Sequence, residues 1–450
     1  MDQAWIVAVD MGYGHQRAAY PFREIACERV ITANTDECVS AEERKLWQRF
    51  QGAYEGVSRI QRVPVVGPWL WRIYDSFQAI SPHYPFRDLS KPTFGSMRLQ
   101  RLLSRGFGAG AVEFTRSRPE LPLLTTFFAI ALAADRAGRP DVFCVVTDTD
   151  VNRIWVAETP RQSRIVYLAP TPLNRARLLQ YGVPAENVFM TGFPLPEENI
   201  RAAAADLRRR LAVLDAAGVF RRRYEEVLPS TLGGMENAEA GPLSITYAVG
   251  GAGAQAEVAR DILASLAGPL RDGRMRLNLV AGTRPEVETL FREAIATQGL
   301  EAELGRGITI LSAPTKDEYF ARFNLLLHET DVLWTKPSEL CFYAALGLPI
   351  VMSPPLGAHE VRNQQVVMKV GAGQKQEDPR AAAEWLTDWC RNGLLAFNAF
   401  NGYLLMPREG TANIRKLLFA SDRSQVDLGP LGAMQLGAPL APESRPDASI

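Results

Sequence analysis

Short apolar runs recur along the first half of the chain, separated by stretches in which apolar residues return at helical spacing. A short continuous apolar run predicts a strand that is buried on both faces. The runs are Ala4–Val9, Leu123–Ala133, Val142–Thr147, Ile165–Ala169 and Val188–Thr191. The run from Leu123 is long enough to favour a helix instead. Strands that alternate with helices predict a parallel sheet with helices on its faces.

The same alternation starts again in the second half. Leu243–Val249 predicts a strand that leads into a glycine-rich turn, and Val258–Leu270 predicts a helix. The further strand candidates are Met275–Ala281, Ile308–Leu311, Asn324–His328 and Pro349–Met352. Residues 199–226, rich in Ala, Arg, Leu and Glu, predict helix.

These patterns predict two α/β domains. We expect an N-terminal domain at 1–195, a helical and loop linker at 196–242 and a C-terminal domain at 243–428. The remaining residues, 429–450, are rich in Pro, Gly, Ala and Ser, which predicts a disordered tail.

Composition narrows the class of protein. Of the 450 residues, 47% are hydrophobic and 22% are charged, as is usual for a globular chain. The net charge of zero argues against bulk electrostatic binding to nucleic acid. The five cysteines are scattered without a CxxC pair, which indicates a reducing compartment and gives no zinc signature. No signal peptide or long apolar segment is evident, so we expect a cytoplasmic protein.

The first candidate site follows the first predicted strand. Gly12 and Gly14 would let the backbone turn sharply and allow a ligand to approach. His15 would then lie at the carboxyl edge of the sheet, where a neutral imidazole could take a proton from a hydroxyl. The alternative is a tight turn that leads into a helix without a ligand.

The second candidate site is the stretch Thr147–Trp155, which contains an Asp-x-Asp pair. Asp148 could orient His15 or bind an acceptor, and Trp155 adds an aromatic face. Carboxylates in this spacing also suit a hard cation. Since an aspartate at a strand end is often a helix cap, we predict no metal.

Two more candidate sites lie in the second half. Gly250, Gly251 and Gly253 follow a strand and precede a helix, which favours a turn facing phosphate. After a later apolar segment, polar groups that could bind phosphate and ribose are packed into a short turn. Those residues are Lys336, Pro337, Ser338 and Glu339. Ser338 as a plain helix cap is the alternative.

The last candidate is a proline- and glycine-rich loop. It supplies an imidazole, a carboxylate and an amide from His359, Glu360 and Asn363, a set that suits the hydroxyls of a sugar. The stretch could equally be a polar helix start.

Taken in order, these motifs resemble one family over residues 5–375. GYGHQRAA, VVTDTDVNRIW, the stretch ending in TGFPL, TKPSEL and PPLGAHEVRNQQ are similar to segments of the GT-B glycosyltransferases. The nearest resemblance is to monogalactosyl- and diglucosyl-diacylglycerol synthases and the peptidoglycan transferase MurG. It implies two Rossmann-like domains that face each other across a cleft.

The resemblance also implies an inverting transfer of sugar from a nucleotide-diphosphate donor, UDP-linked in these relatives, with no tightly bound cofactor. His15 takes the position of the family's proposed base, and Asp148 that of its Thr-Asp aspartate. The resemblance places the donor phosphate and uridine contacts on residues of the second half: Gly251, Gly253, Thr283, Lys336, Ser338 and the loop with His359, Glu360 and Asn363. Two departures are Asn152, where the family has His, and Lys-Pro-Ser-Glu, where it has Lys-Pro-Gly-Gly.

The resemblance implies a lipid or small-molecule acceptor. The segment Trp69–Tyr74, with Trp and Tyr beside Arg, would suit peripheral contact with the inner face of a membrane. An amphipathic helix packed on the first sheet is the alternative. A non-catalytic sugar-nucleotide-binding protein and a UDP-sugar 2-epimerase remain competing functions.

Overall fold

We describe a computed structural model of the chain. It describes residues 2–60, 80–233, 241–251 and 253–429. Contacts divide the chain into two compact units. The first unit contains residues 1–194, 356–362 and 409–450, and the second contains 195–355 and 363–408.

The described part of the first unit has a six-stranded parallel sheet in the order β2-β1-β3-β4-β5-β6. Its strands are β1 Ala4–Ala8, β2 Ala26–Thr32, β3 Leu123–Thr125, β4 Val142–Val145, β5 Val166–Ala169 and β6 Val188–Met190. β1 contacts β3 with Ile6 opposite Leu124. The first helices of the chain are α1 Gly14–Ala19, α2 Ala41–Ile60, α3 Phe94–Leu103, α4 Ala109–Phe114, α5 Phe128–Arg136 and α6 Pro172–Gln180.

The described part of the second unit also has a six-stranded parallel sheet, in the order β12-β11-β10-β7-β8-β9. Counted within this unit and from its other edge, the order is 3-2-1-4-5-6, that of the Rossmann fold. Its strands are β7 Leu243–Ala248, β8 Met275–Gly282, β9 Ile308–Ser312, β10 Val332–Thr335, β11 Ile350–Met352 and β12 Gly373–Lys375. The predicted pair of Rossmann-like α/β domains is therefore confirmed, and the cleft between them stays a prediction.

Helices cover the second sheet, and one more returns to the first unit. They are α7 Glu197–Leu214, α8 Val219–Arg223, α9 Leu228–Leu232, α10 Val258–Arg271, α11 Pro285–Thr297, α12 Lys316–Glu329, α13 Ala358–Lys369, α14 Ala382–Arg391, α15 Leu394–Leu405 and α16 Gly410–Leu418. Short 3-10 helices include Arg153–Trp155, Pro160–Gln162 and Glu339–Leu346. Threonine side chains cap the starts of α3, α6 and α12 by accepting a backbone N–H bond, as the capping preference predicts.

Two element predictions were wrong. Leu123–Ala133 was expected to be one helix, but it contains β3 and the start of α5. Asn324–His328 was expected to be a strand, but it lies inside α12. Phe320, Phe323 and Leu327 are buried at the three- and four-residue spacing of a helix face, and Leu325 on the opposite face is 67% exposed.

The unit boundaries also differ from the predicted domains. Residues 196–242 were predicted to be a linker, but Leu207, Leu211 and Phe220 of this stretch are buried in the core of the second unit. Residues 409–428 were predicted to belong to the C-terminal domain, but Ile414 and Leu417 of α16 pack into the core of the first unit. Both segments have apolar residues at the spacing of a helix, which predicts a helix with one apolar face. Only the packing in the folded protein determines which of the two sheets that face covers.

Two predictions lie outside the described residues: the membrane contact at Trp69–Tyr74 and the disorder of the tail beyond Gly429. Within the described ranges, the structure has no helix that is both long and apolar enough to span a membrane.

Candidate functional site

The carboxyl ends of β1 and β3 mark the first candidate position. From β1 the chain passes to β2 on one side, and the later strands β3 to β6 continue on the other side. In open parallel sheets, ligands bind outside the carboxyl ends of the strands at such a reversal of strand order. The turn with Gly12, Gly14 and His15 follows β1 at this point, and Thr126 follows β3.

The backbone directly after β3 holds the His15 side chain in place. Its Nδ1 lies 2.6 Å from the carbonyl oxygen of Thr126, and the Thr126 hydroxyl donates to the carbonyl oxygen of His15 at 2.9 Å. The edge of the imidazole ring packs on Phe127 at 5.0 Å between centroids. Because a carbonyl only accepts, Nδ1 must carry the proton, and the lone pair of the neutral ring is then on Nε2.

The turn before His15 is fixed by Asn34, a residue that the sequence analysis missed. The Asn34 side chain accepts from the backbone N–H of Asp10 at 2.8 Å and donates to its carbonyl oxygen at 3.0 Å. Gly12 takes a φ of +93°, a conformation that L side chains rarely adopt, and Gly14 begins α1. Gly12 therefore forms the sharp turn that was predicted, whereas the approach of a ligand to this turn stays a prediction.

Asp148 lies just after β4, one strand away from the reversal point, and is half-buried. Its carbonyl oxygen accepts from the Asn174 side chain at 3.1 Å. The Thr126 carbonyl oxygen is the partner of His15 Nδ1, and the predicted orienting of His15 by Asp148 stays a prediction. A catalytic or acceptor-binding role of Asp148 stays a prediction.

The second carboxylate of the Asp-x-Asp pair is structural. Asp150 is buried and receives two bonds from the buried Arg177 guanidinium, at 2.9 Å from Nε and 3.0 Å from Nη2. Asn152 caps the 3-10 helix Arg153–Trp155 by accepting from Ile154 N–H at 3.0 Å. No group of three or more His, Cys, Asp or Glu among the described residues is placed to hold a metal ion.

Trp155 was predicted to contact substrate, but the structure places it in the core. Its side chain is 6% exposed and packs on Phe128 at 5.0 Å between ring centroids. Its carbonyl oxygen accepts from the Tyr167 hydroxyl at 2.8 Å. An aromatic residue after a strand end does not by itself distinguish a ligand face from a core position.

The second candidate position is the reversal point of the second sheet, between β7 and β10. The loop with Gly250, Gly251 and Gly253 follows β7, and Lys336 with Ser338 follows β10. Thr283 follows β8, the neighbour of β7 on the other side. The structure thus brings most of the residues predicted for the donor to one edge of one sheet.

The Lys336 side chain lies directly over Gly250. A methyl group added to Gly250 would overlap Lys336 Cε and would lie 3.3 Å from Nζ. The ammonium group is therefore beside the loop after β7, and any larger residue at position 250 would displace it. A cation next to a backbone turn that precedes helix α10 is the arrangement expected for binding phosphate.

Three contacts fix the shape of this loop. Gln255 takes a φ of +68°, rare for a residue other than glycine, and its side chain donates to the Pro354 carbonyl oxygen at 2.9 Å. The Tyr247 hydroxyl donates to the Gln255 carbonyl oxygen at 2.7 Å. Burial raises the pKa of Tyr247 well above its usual range, which keeps this donor protonated. Arg284 Nε donates to the Gly251 carbonyl oxygen.

Gln255 and Arg284 were missed from the sequence. Arg284 is a cation two residues after a strand end, and this position in the sequence could have marked it as a candidate site residue. For Gln255 no signal exists, because its role follows from a backbone conformation that glutamine rarely adopts.

The Asn363 side chain holds the turn after β10 in place. Asn363 was predicted to contact the donor, but it is fully buried and its amide donates to the Pro337 carbonyl oxygen at 3.1 Å. The Ser338 hydroxyl makes no capping bond to the 3-10 helix that follows, and Glu339 is half-buried at the start of that helix.

His359 and Glu360 were predicted to lie in the donor domain, but contacts assign residues 356–362 to the first unit. Glu360 is buried and accepts from Leu356 N–H at 2.7 Å, and the His359 ring lies over Gly357. Arg362 Nε lies 3.8 Å from an oxygen of Asp150. The Glu360 carboxylate thus stabilises its own loop.

Comparisons with known proteins give a limited result. Residues 289–389 match the family model of a domain of unknown function, DUF6938. No curated protein sequence matches the chain.

Several solved structures are similar to the chain at low identity. One is a UDP-GlcNAc 2-epimerase from Neisseria meningitidis bound to UDP-GlcNAc, with 13% identity, 75% of this chain and 85% of that chain covered, and a TM-score of 0.45. A UDP-glucosyltransferase from Polygonum tinctorium has 12% identity, 93% and 98% coverage and a TM-score of 0.43. A trehalose 6-phosphate synthase from Burkholderia multivorans has 12% identity, 93% and 98% coverage and a TM-score of 0.41.

Proposed function

We propose that the protein is a glycosyltransferase that moves a sugar from a nucleotide-diphosphate donor, UDP-linked, to an acceptor hydroxyl with inversion. The observation that supports this most directly is the Lys336 ammonium beside the glycine loop after β7, at the reversal point of a Rossmann-ordered sheet. The two reversal points supply a phosphate-type site in the second unit and a general base in the first.

In the second unit, the donor diphosphate would face the backbone N–H groups of the loop Gly250–Gly253. Lys336 would balance the charge that grows on the diphosphate as it departs, and this is the stage at which a fixed cation lowers the barrier most. Arg284, which already binds the Gly251 carbonyl oxygen, adds a second cation near the same loop. The proposed reaction needs no tightly bound cofactor.

In the first unit, His15 would act on the acceptor. The lone pair on Nε2 takes the hydroxyl proton while the acceptor oxygen forms a bond to the anomeric carbon. The bond from that carbon to the diphosphate oxygen breaks, and its electron pair leaves with the nucleoside diphosphate. Attack from the face opposite the leaving group inverts the configuration, and the Thr126 carbonyl oxygen stabilises the imidazolium that forms.

The acceptor is proposed to be a lipid or small molecule with a free hydroxyl. A cytoplasmic protein that contacts the inner face of a membrane through Trp69–Tyr74 would suit a lipid acceptor. Flotation with vesicles of anionic lipid tests this: the protein should float with them, and exchange of Trp69 and Trp71 for Ser should abolish it. Equal flotation of that variant contradicts the proposed contact.

Nucleotide binding is the first test of the donor site. Melting temperatures measured with UDP, GDP, ADP and TDP, and with their sugars, should rise for the uridine compounds, since a ligand of the folded state stabilises it. Lys336→Ala should lower UDP affinity about 10-fold, as expected for loss of one charge-assisted contact. Unchanged UDP affinity in Lys336→Ala contradicts the role of this residue.

Replacement of the base separates binding from chemistry. His15→Ala should lower kcat by about 10²- to 10⁴-fold and leave the UDP affinity within twofold, because the base acts only on the acceptor. Thr126→Val is the matched control, since it keeps the carbonyl oxygen that holds Nδ1, and its kcat should stay within tenfold. Turnover of His15→Ala near that of the parent protein excludes His15 as the base.

The competing functions give different products. A 2-epimerase converts UDP-GlcNAc alone to its C2 epimer, whereas a transferase releases UDP only when an acceptor is present. Product analysis by NMR of a reaction without acceptor distinguishes the two. Binding of UDP-sugar without turnover against lipid and small-molecule acceptors would indicate the non-catalytic alternative.

A further inference from the structure

A cavity lies in the first unit, away from His15. Its volume is about 810 Å³, within the range of small-molecule sites. Three segments line it: the strap at residues 83–92, the 3-10 helix Pro160–Gln162 with the residues just before it, and the last turns of α6. None of these segments contributes to the proposed transfer reaction.

The topology places this cavity at the opposite edge of the sheet. α6 begins after the carboxyl end of β5 and returns to the amino end of β6, so its last turns lie at the amino edge. Residues 158–162 precede β5 and lie at the same edge. His15 lies at the carboxyl edge, and the four residues of β5 alone separate the two edges by about 13 Å.

Buried arginines fix the strap that forms one wall. Arg153 donates to the Ser90 carbonyl oxygen from Nε at 3.0 Å and from Nη2 at 2.8 Å. Arg177 Nη2 donates to the carbonyl oxygen of Ser81, just before the strap, at 2.8 Å, and Leu89 N–H of the strap donates to the Gln180 carbonyl oxygen at 2.9 Å. Both guanidinium groups are buried, so the strap is held by rigid parts of the core. The cavity is therefore formed before any ligand binds.

The apolar part of the wall suits a flat hydrophobic body. Phe86, Pro92, Pro160 and Leu179 line the cavity, and Phe86 is 49% exposed although it is a large aromatic residue. An exposed aromatic beside a concave surface is a common feature of binding sites.

The charged part of the wall suits an anion. Three cations line the cavity, Arg87, Lys91 and Arg161, against two carboxylates. Of the two carboxylates in the wall, Asp88 accepts the Ser90 N–H bond at 2.8 Å, and Glu158 is exposed. Hydrogen bonds from Ser90 lower the pKa of Asp88 most, and the charges of Lys91 and Arg161 lower it further, so this carboxylate offsets part of the positive charge of the wall.

We propose that this cavity is a second ligand site, which binds an organic anion with an aromatic body and one carboxylate, sulfonate or phosphate group. The apolar wall covers the body, and Lys91 and Arg161 pair with the anionic group. The site is independent of the proposed sugar transfer, because its walls lie at the other edge of the first sheet.

Two fluorescent probes of nearly the same shape test this proposal. 8-Anilinonaphthalene-1-sulfonate is an aromatic anion, and N-phenyl-1-naphthylamine is its neutral counterpart. We expect the anion to bind the full chain at one site per molecule and the neutral probe to compete for it more weakly. Binding at many equivalent sites, or no saturable binding, overturns the proposal.

Variants locate the site. Lys91→Gln with Arg161→Gln should raise the Kd of the anionic probe at least 10-fold and leave that of the neutral probe within twofold. Arg260→Gln with Arg276→Gln, exposed cations of the second unit, removes the same charge elsewhere and should change neither value. Equal effects of the two double variants contradict the site.

If the variant Lys91→Gln with Arg161→Gln does not fold, a third variant tests the proposed site. Ala176→Trp fills the cavity from α6 while it keeps both cations, and should abolish the binding of both probes. Near-UV circular dichroism checks that this variant is folded. A folded Ala176→Trp protein that binds either probe as before overturns the proposal.

Discussion

A single carbonyl oxygen, that of Thr126, determines which nitrogen of His15 can act as a base. The sequence predicted the imidazole and its place after the first strand, because glycines and a scarce histidine stood together there. It could not predict the carbonyl partner, which comes from a strand more than a hundred residues further along the chain. The predictions that Asn363 and Trp155 contact a ligand were wrong, because polar and aromatic side chains are also found in the protein interior.

Gly250 gives a sharp test at the scale of one residue. Gly250→Ala should displace Lys336 from the loop and weaken UDP binding by at most about 10-fold, the loss expected when the charge-assisted contact of Lys336 is removed. Titration calorimetry measures the affinity. Gly268→Ala is the matched control, because its added methyl group meets nothing within 4 Å, and its affinity should be unchanged. Equal affinities in the two variants contradict the proposed role of Lys336.

At the scale of elements, the apolar runs predicted the central strands well. β4, β5 and the edge strand β6 are continuous apolar runs whose residues are all buried, and in β7 and β8 only Arg276 is exposed. β2 was missed because it is an edge strand with charged and half-exposed positions, and β3 because only three of its residues precede the loop to α5.

The loop after β7 stores strain at Gln255, and stability can reveal it. Gln255→Ala and Gln255→Gly both lose the bond to Pro354, but only alanine must still adopt a positive φ. The glycine variant should therefore be more stable than the alanine variant by about 1 kcal/mol. Urea unfolding measures both free energies. Equal values would mean that the loop relaxes to an ordinary conformation.

The pair Asp150–Arg177 tests how the loop after β4 is joined to α6. Asp150→Asn leaves a buried guanidinium without its counter-charge and should cost about 3–5 kcal/mol of unfolding free energy. Asp150→Ala with Arg177→Met removes both charges and should cost less than the single change. Urea unfolding of the three proteins decides this, and a larger cost for the double variant argues against the ion-pair explanation.

For the whole molecule, the sequence predicted two Rossmann-like domains but not how the chain divides between them. Residues 356–362 and 409–429 return to the first unit, and no local pattern states which of two similar sheets an apolar helix covers. Gly410, at the start of α16, packs closely against the backbone of Phe193. A methyl group added to Gly410 would overlap the Phe193 carbonyl oxygen.

Gly410→Ala should therefore destabilise the first unit by about 1–3 kcal/mol, as overpacking does. Hydrogen exchange can assign the loss, since amides of β1 should exchange faster while those of β7 stay unchanged. Gly241→Ala, at an exposed glycine without a nearby atom, is the control and should change neither. Faster exchange in β7 alone would contradict the assignment of α16 to the first unit.

The late return of α16 has a consequence for synthesis on the ribosome. The apolar face of β1 belongs to one buried cluster with Ile414 and Leu417, which are made after the whole second unit. At about 5–20 residues per second, the roughly 215 residues between 194 and 409 take on the order of 10–40 s. During that interval the nascent first sheet exposes the face that α16 will later cover, and a chaperone that shields apolar surface would have its greatest effect then.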